Sequence, residues 1–219
     1  MVELIGELRV EVVRANLERI EAEIAACGRA GEVEILAAVK YVPVEQLGQL
    51  ARAGVKLVGE NRAQELVTKS AAWPGRFTWD FIGTLQSRKV AVIVPHVRYI
   101  HSVATESALA QLARHATAST RILAQVNVSG EAGKAGIAPD RLGEFLEASP
   151  VPVAGLMTMP PLATDPEHSR RYFVQLRALA QLHGLVELSM GTSQDYVVAV
   201  QEGATIIRLG QSLYRPFAS

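Results

Sequence analysis

Eight short apolar runs recur along the 219 residues, separated by turns and helical segments. They are EILAAVK, VKLVGE, TWDFIG, VRYIHSV, RILAQVNV, PVAGLMTM, LVELSMG and TIIRLG. Strand, turn, helix, strand is the grammar of a parallel sheet, because two parallel strands need a crossover between them. Most of the runs lack clean alternation of apolar and polar residues, as strands covered on both faces do. Eight such units in about 200 residues predict an α/β fold, a closed (β/α)8 TIM barrel. A doubly wound open sheet is the alternative. It usually has fewer strands, and the chain has no G-x-G-x-x-G turn.

The helical segments carry their own signals. Val13, Leu17, Ile20, Ile24 and Cys27 recur at helical spacing, so residues 1–30 are expected to form an extra N-terminal helix packed on the barrel, ended by Gly28 and Gly31. VEQLGQLARA lies between Pro43 and Gly54, the usual order of a helix start and stop. In NRAQELVTKSAA, Asn61 and Gln64 stand as a capping box, and Thr164 with Glu167 repeats the pattern before RRYFVQLRALAQL. Trp73 and Trp79 flank a Pro-Gly turn and are expected against the barrel exterior. No linker or low-complexity stretch divides residues 1–219, so one domain is expected. The longest irregular piece is SGEAGKAG, 129–136, whose glycines suit a loop at the mouth.

Composition narrows the function. Lys+Arg and Asp+Glu both number 22, so no basic footprint for nucleic acid or an anionic membrane exists. The run VAVIV is far too short to span a bilayer, and the start lacks the apolar core of a signal peptide. A single cysteine, Cys27, excludes an internal disulfide framework and suits a reducing compartment. A soluble, cytoplasmic protein is expected. The five histidines show no metal spacing, so no metal is expected, and His101, beside Ser102 at a strand end, either approaches the site or is a satisfied structural histidine, the second being the preferred reading.

Function in such barrels sits where strands end. Strand one ends in Lys40, with Leu36, Ala38 and Lys40 on one face. Burial disfavours an ammonium and raises the neutral fraction that a Schiff base with an aldehyde or ketone requires. The alternative is a lysine whose head reaches solvent past the strand end. SMGTSQD follows strand seven and RLGQSLY follows strand eight, each with a glycine at the turn and hydroxyl residues beside it. Those two loops form the usual phosphate site of this barrel. Thr192 and Ser193 offer hydroxyls, and Ser193 is also placed to cap a helix. Arg208 stands in the apolar strand TIIRLG and needs a partner, either a ring nitrogen or an ion pair with Glu187 or Asp195. A lysine aldimine, a phosphate cradle and an arginine near a heteroaromatic nitrogen together describe pyridoxal 5′-phosphate, PLP.

The segments AAVKYVPVE, VGENRAQEL, DFIGTLQSRK, HSV, QVNVSGEAGKAG, GLMTMPP, LSMGTSQDYVVAV and EGATIIRLGQSLY run from about residue 34 to the end. In them the chain resembles the PLP homeostasis proteins (the YggS/PROSC family), single-domain relatives of the barrel domain of alanine racemase. The resemblance implies that Lys40 carries PLP as an internal aldimine. It implies that Ser193, Gly210 and Gln211 hold the phosphate with Thr192 beside them, that Arg208 faces the pyridine nitrogen, and that Asn61 lines the site near the ring. Lys134 matches a basic residue after strand five and is expected either to help load or release the cofactor or to be an exposed loop lysine.

Five positions depart from the family's usual pattern. Thr192 stands where SMGMS is common, Asp80 where a histidine is, Arg88 where an asparagine is, and Tyr214-Arg215 where the end reads Phe-Gly. Thr192 and Tyr214 add hydroxyls that bear on affinity. The implied role is a monomeric, non-catalytic PLP carrier that supplies apo-enzymes. A racemase needs a second acid/base on the opposite face of the substrate, which alanine racemase takes from an additional domain. The alternatives are a racemase-like enzyme using Tyr41 or Tyr214 as its acid, and a PLP-free Schiff-base aldolase whose phosphate belongs to a sugar.

Overall fold

The structure, a computed structural model, describes residues 7–216. Residues 1–6 of the expected N-terminal segment and 217–219 of the expected domain lie outside the described residues. Each apolar run forms a strand: β1 Glu34–Ala38, β2 Leu57–Glu60, β3 Thr78–Phe81, β4 Tyr99–Val103, β5 Arg121–Gln125, β6 Val153–Met157, β7 Glu187–Thr192 and β8 Ile206–Leu209. The strands pair in parallel in chain order, and β8 returns to β1, closing the barrel. Closure sets Leu36 opposite Arg208 and Ala37 opposite Leu209, so residues from the two ends of the chain become neighbours.

Around the strands stand α1 Val10–Ala26, α2 Leu47–Ala53, α3 Ala63–Ala72, α4 Val90–Ile93, α5 Glu106–His115, α6 Leu142–Glu147, α7 Arg170–Leu182, α8 Tyr196–Gln201 and α9 Gln211–Tyr214. Side chains alternate across the sheet and build two layers. Leu36, Leu57, Leu123, Met157 and Ile206 form a small cluster inside the strands. A larger cluster between sheet and helices includes Trp79, Phe81, Ile93, Leu112 and Phe173. Each fully buried leucine or phenylalanine there contributes about 1.5–3 kcal/mol. Trp73, Phe77 and Trp79 stack edge to face in this outer layer.

Helix α1 buries Val13, Ile20 and Ile24 as its periodicity predicts. Asn16 on the same helix donates to the carbonyls of Leu213, at 3.1 Å, and Arg215, at 2.9 Å. The N-terminal helix thereby braces α9, which stands directly behind the rim.

Two expected caps fall elsewhere. Helix α3 starts after Arg62, and the side chain of Asn61 does not cap it. Glu60 takes that place, its Oε1 accepting from the N–H of Asn61 at 2.6 Å and of Arg62 at 3.2 Å. A carboxylate at a strand end satisfies these donors more strongly than a neutral amide, because the bond is charge-assisted. Before α7, Asp165 rather than Thr164 accepts from the N–H of Glu167, at 3.0 Å, and a 3-10 turn (Pro166–Ser169) precedes the α-helix. Pro166 fits the first helical position, where no N–H is needed.

Candidate functional site

β1 stands between β2 and β8, and the ends of these three strands place Lys40, Asn61, Arg208, Gly210 and Gln211 on one rim, while β7 adds Thr192 and Ser193 from the other side of β8. Lys40 stands two residues past the end of β1 and is half-buried. Its Nζ lies 4.5 Å from the centre of the Tyr41 ring. Among the described residues it has no carboxylate partner. Ala38, on the same face, lies 4.0 Å from the point where a Cβ on Gly210 would stand, so the lysine segment and the strand-eight loop touch.

The backbone around Lys40 is pinned from behind. Lys69 on α3 is 2 % exposed and Glu60 0 %. Lys69 Nζ donates to Glu60 Oε2 at 2.7 Å and to the carbonyl of Val39, the residue before Lys40, at 2.8 Å. Tyr214 donates its hydroxyl to the Ala38 carbonyl at 3.0 Å. Burial, then the Glu60 charge, pushes the Tyr214 phenol up, so its proton stays in place. Asn61 packs so closely on β3 that a Cβ on Gly83 would sit 2.0 Å from its carbonyl oxygen. Its side-chain Oδ1 is buried without a hydrogen-bond partner among the described residues, an acceptor held in reserve at the rim.

The adjoining part of the rim, after β7 and β8, is made of hydroxyls and backbone N–H groups. Gly191 has φ +92°, and a Cβ there would meet the Ala199 methyl at 2.6 Å, so only glycine makes this turn. After the turn, Ser193 Oγ accepts from Ser212 Oγ at 2.8 Å and from the N–H groups of Gly210 and Ser212, both at 3.4 Å. The two 3.4 Å contacts are weak, which leaves two donors open to a better acceptor. Three donors share the two lone pairs of Ser193 Oγ, so its own proton remains to be given. Ser193 does not cap α8; Asp195 occupies the cap position. Thr192 turns away from this group, its N–H and hydroxyl meeting Asp195 Oδ1 at 2.7 and 3.1 Å. Gln211 is exposed at the first position of α9. Helices α8 and α9 are six and four residues long, so hydroxyls and N–H groups, more than helix dipoles, set the anion preference here.

Arg208 is 7 % exposed. It forms no ion pair with Glu187 or Asp195. Instead Nη1 donates to Ser189 Oγ at 2.5 Å, and Nη2 to the Thr158 carbonyl at 2.8 Å and Met159 Sδ at 2.9 Å. Three of the five guanidinium hydrogens are thereby used, leaving Nε–H and one on Nη1. Burial pushes Arg208 down to about 10 against the pull of the Asp195 charge, so it remains a cation at neutral pH.

Lys134 lies off this cluster, 3.5 Å from Glu131 in the loop after β5. Asn127 Nδ2 holds that loop through the carbonyls of Glu131, at 3.0 Å, and Lys134, at 3.4 Å. Glu60, Lys69 and Ser212 adjoin the site; the sequence places Glu60 at the end of strand two without a role and assigns none to Lys69 or Ser212. Lys69 follows Ala63 and Leu66 at steps of three on the buried face of α3, and a lysine in that register signals an internal partner. Ser212 is in the quoted RLGQSLY but was not singled out.

No family model matches the chain. A pyridoxal phosphate homeostasis protein of Aquifex aeolicus is 40 % identical over 216 residues, spanning 90 % of this chain and 93 % of that protein. The protein of the same description from Deinococcus radiodurans is 38 % identical over 201 residues, spanning 89 % and 94 %. Among solved structures, PipY of Synechococcus elongatus with PLP bound superimposes with a TM-score of 0.80 at 30 % identity, covering 93 % of this chain and 100 % of that one. An alanine racemase of Clostridium difficile shares the fold, with a TM-score of 0.72 at 12 % identity over 97 % of this chain and 59 % of that one. Fold and rim thus define a (β/α)8 barrel of the kind found in alanine racemase. Within that class, the chain belongs to the pyridoxal phosphate homeostasis protein family.

Proposed function

We propose that this chain is one PLP-binding domain over residues 1–219 that serves PLP homeostasis as a carrier, without robust catalysis. One observation carries the proposal: a lysine without an ion pair, an anion cradle and a buried guanidinium with two spare hydrogens share one rim. The curated relatives' names and the PLP-bound PipY structure support it.

The residues fit each handle of the cofactor. Ser193, Ser212 and the N–H groups of Gly210 and Ser212 suit its phosphate, with Gln211 at the edge and Thr192 shaping the loop through Asp195. Arg208 suits the ring nitrogen, and the reserved Asn61 carbonyl oxygen suits a polar ring substituent. When bound, the cofactor supplies an aldehyde that a primary amine attacks with loss of water. Lys40 is the amine in reach. Tyr214, one candidate for a second acid, gives its proton to Ala38 and keeps it there, which favours holding over turnover. The carrier is taken to be a cytoplasmic monomer that gives PLP to apo-enzymes. No helix among the described residues is long and apolar enough to cross a membrane.

Adding PLP to the purified chain should produce an absorbance band near ~420 nm that borohydride bleaches, leaving the cofactor attached at Lys40. Lys40→Ala should lose the band and retain weak binding through the cradle. A chain that stays colourless at saturating PLP would overturn the proposal. Deuterium exchange at the α-carbon of amino acids, on the order of tens per second, would replace the carrier with the racemase.

A further inference from the structure

His101 is wholly buried inside the barrel, and both of its ring nitrogens are engaged. Nδ1 lies 2.8 Å from Ser189 Oγ, and Nε2 lies 3.1 Å from Asp80 Oδ2. Ser189 Oγ also receives Arg208 Nη1. At the other end Arg98 clasps Asp80, Nε to Oδ1 at 3.2 Å and Nη2 to Oδ2 at 2.8 Å, and the Tyr99 N–H adds a contact at 3.1 Å. Arg98 reaches on to both oxygens of Glu34, at 2.8 and 2.7 Å. A continuous polar chain therefore descends from the rim through β8, β7, β4 and β3 to the far end of the barrel.

The direction of every proton follows from donor chemistry. An arginine only donates, so Ser189 accepts from Arg208 and gives its one proton to His101 Nδ1. Asp80 faces two cationic N–H groups and accepts only, so His101 Nε2 carries the hydrogen. Burial acts to raise Asp80, but the bonds from His101 and Arg98 outweigh it and hold the carboxyl below its ordinary range. Burial pushes the imidazole down against the pull of Asp80, and the Arg208 and Arg98 charges push the same way. The ring is neutral, in a single tautomer.

We propose that His101 is a positioning residue for Arg208, acting through the Ser189 hydroxyl. It fixes Nη1 toward β7 and thereby leaves Nε–H and the second Nη1 hydrogen aimed for the ring nitrogen of the cofactor. Asp80, gripped by Arg98, holds the tautomer that makes this possible. The proposal rests on the PLP reading of the rim. A chain with only a structural role would change stability and leave ring-nitrogen recognition untouched.

Two measurements on the full chain decide it. Nitrogen-15 NMR of the histidines near pH 7.5 should show His101 protonated on Nε2 and bare on Nδ1; an Nδ1–H tautomer or a doubly protonated ring would overturn the proposal without any variant. The second measurement compares dissociation constants for PLP and for its 1-deaza analogue, which lacks the ring nitrogen. The unaltered chain should prefer PLP, and Ser189→Ala and His101→Leu should each shrink that preference about tenfold, one charged hydrogen bond's worth. Equal weakening toward both compounds would mark a structural role and overturn the proposal. If the unaltered chain binds neither compound, the PLP reading itself fails, and the positioning role falls with it.

Discussion

The two halves of the rim are built from opposite materials. Beside Lys40, the chain invests full charges: Glu60 and Lys69 form an ion pair sealed from water, and Lys69 also grips the carbonyl of Val39, the residue before Lys40. Next to it, at the ends of β7 and β8, the cradle of Ser193, Ser212 and Gly210 is neutral and loosely bonded, with two contacts at 3.4 Å. A nucleophile must meet its target in a fixed geometry, and buried, fully satisfied charges fix backbone firmly. An anion holder that has to release its cargo gains from donors that exchange partners at little cost. The comparison also separates two lysines. The fully buried one is paired with a carboxylate, while the half-buried one lies over Tyr41 and has no carboxylate partner among the described residues, as the proposed Schiff base requires.

The largest expected effect lies on the charged half. Lys69→Met would strand the Glu60 carboxylate in the core and cost roughly 3–5 kcal/mol, as breaking one side of a buried pair does. Urea unfolding measures it. The double variant Lys69→Met with Glu60→Gln should recover much of the loss, because no charge is then stranded. A loss near zero in the single variant would mean that the pair is not the anchor described.

Next comes the inner chain that runs from the rim to the far end of the barrel. His101 has its folded-state value lowered, so on acidification the unfolded chain takes up a proton at ordinary histidine pKa while the folded chain does not. Stability therefore falls as pH drops below about 6.5, by at most about 1.4 kcal/mol per pH unit. Asp80, also lowered, adds stability above the ordinary aspartate range that is lost as pH falls through its folded value. Urea midpoints across pH 7.5 to 5.5 should slope downward in the unaltered chain and flatten in His101→Leu. Cradle variants should leave the slope alone, since no titrating group takes part there.

On the neutral half the effects concern binding. Ser193→Ala and Ser212→Ala should each weaken PLP about three- to tenfold, near 1 kcal/mol, with stability unchanged within about 0.5 kcal/mol. Together they should cost less than the product of the two, because the hydroxyls bond each other. Spectroscopic titration with inorganic phosphate as competitor reads this directly. Strict multiplication would show that the serines act independently.

The fold was legible because apolar runs punctuated by glycine and proline report local backbone preference, and all eight quoted runs contain the observed strands or most of their residues. β7 alone reaches past its run, to Thr192. Caps were less legible. The motifs at Asn61 and Thr164 are correct statistics, but Glu60 and Asp165 stood nearer the free N–H groups with a full charge. The rim residues Lys40, Ser193, Arg208 and Gly210 could be listed because each stands at a strand end. The inner chain could not, since Glu34, Asp80, His101, Ser189 and Arg208 come from five strands, and period two reveals only a face, never a partner across the barrel. Lys69 was missed for a related reason: a lysine inside a helix usually means a solvated face, and only its register with Leu66 betrays burial.

Thr192 gives the smallest expected effect and the sharpest boundary between the halves. Read from the sequence, its hydroxyl is an added phosphate donor. In the fold that hydroxyl and the Thr192 N–H both go to Asp195, a carboxylate that would itself repel an anion if it were turned toward the cradle. Thr192→Val keeps the shape and the N–H contact and removes only the 3.1 Å bond. PLP affinity should then change by less than about twofold, within the few tenths of a kcal/mol of a partly exposed neutral contact. Thr192→Ser, which keeps the hydroxyl, should be indistinguishable from the unaltered chain. A tenfold loss in Thr192→Val would move Thr192 into the cradle, and Asp195 would then have to find another donor when the phosphate arrives.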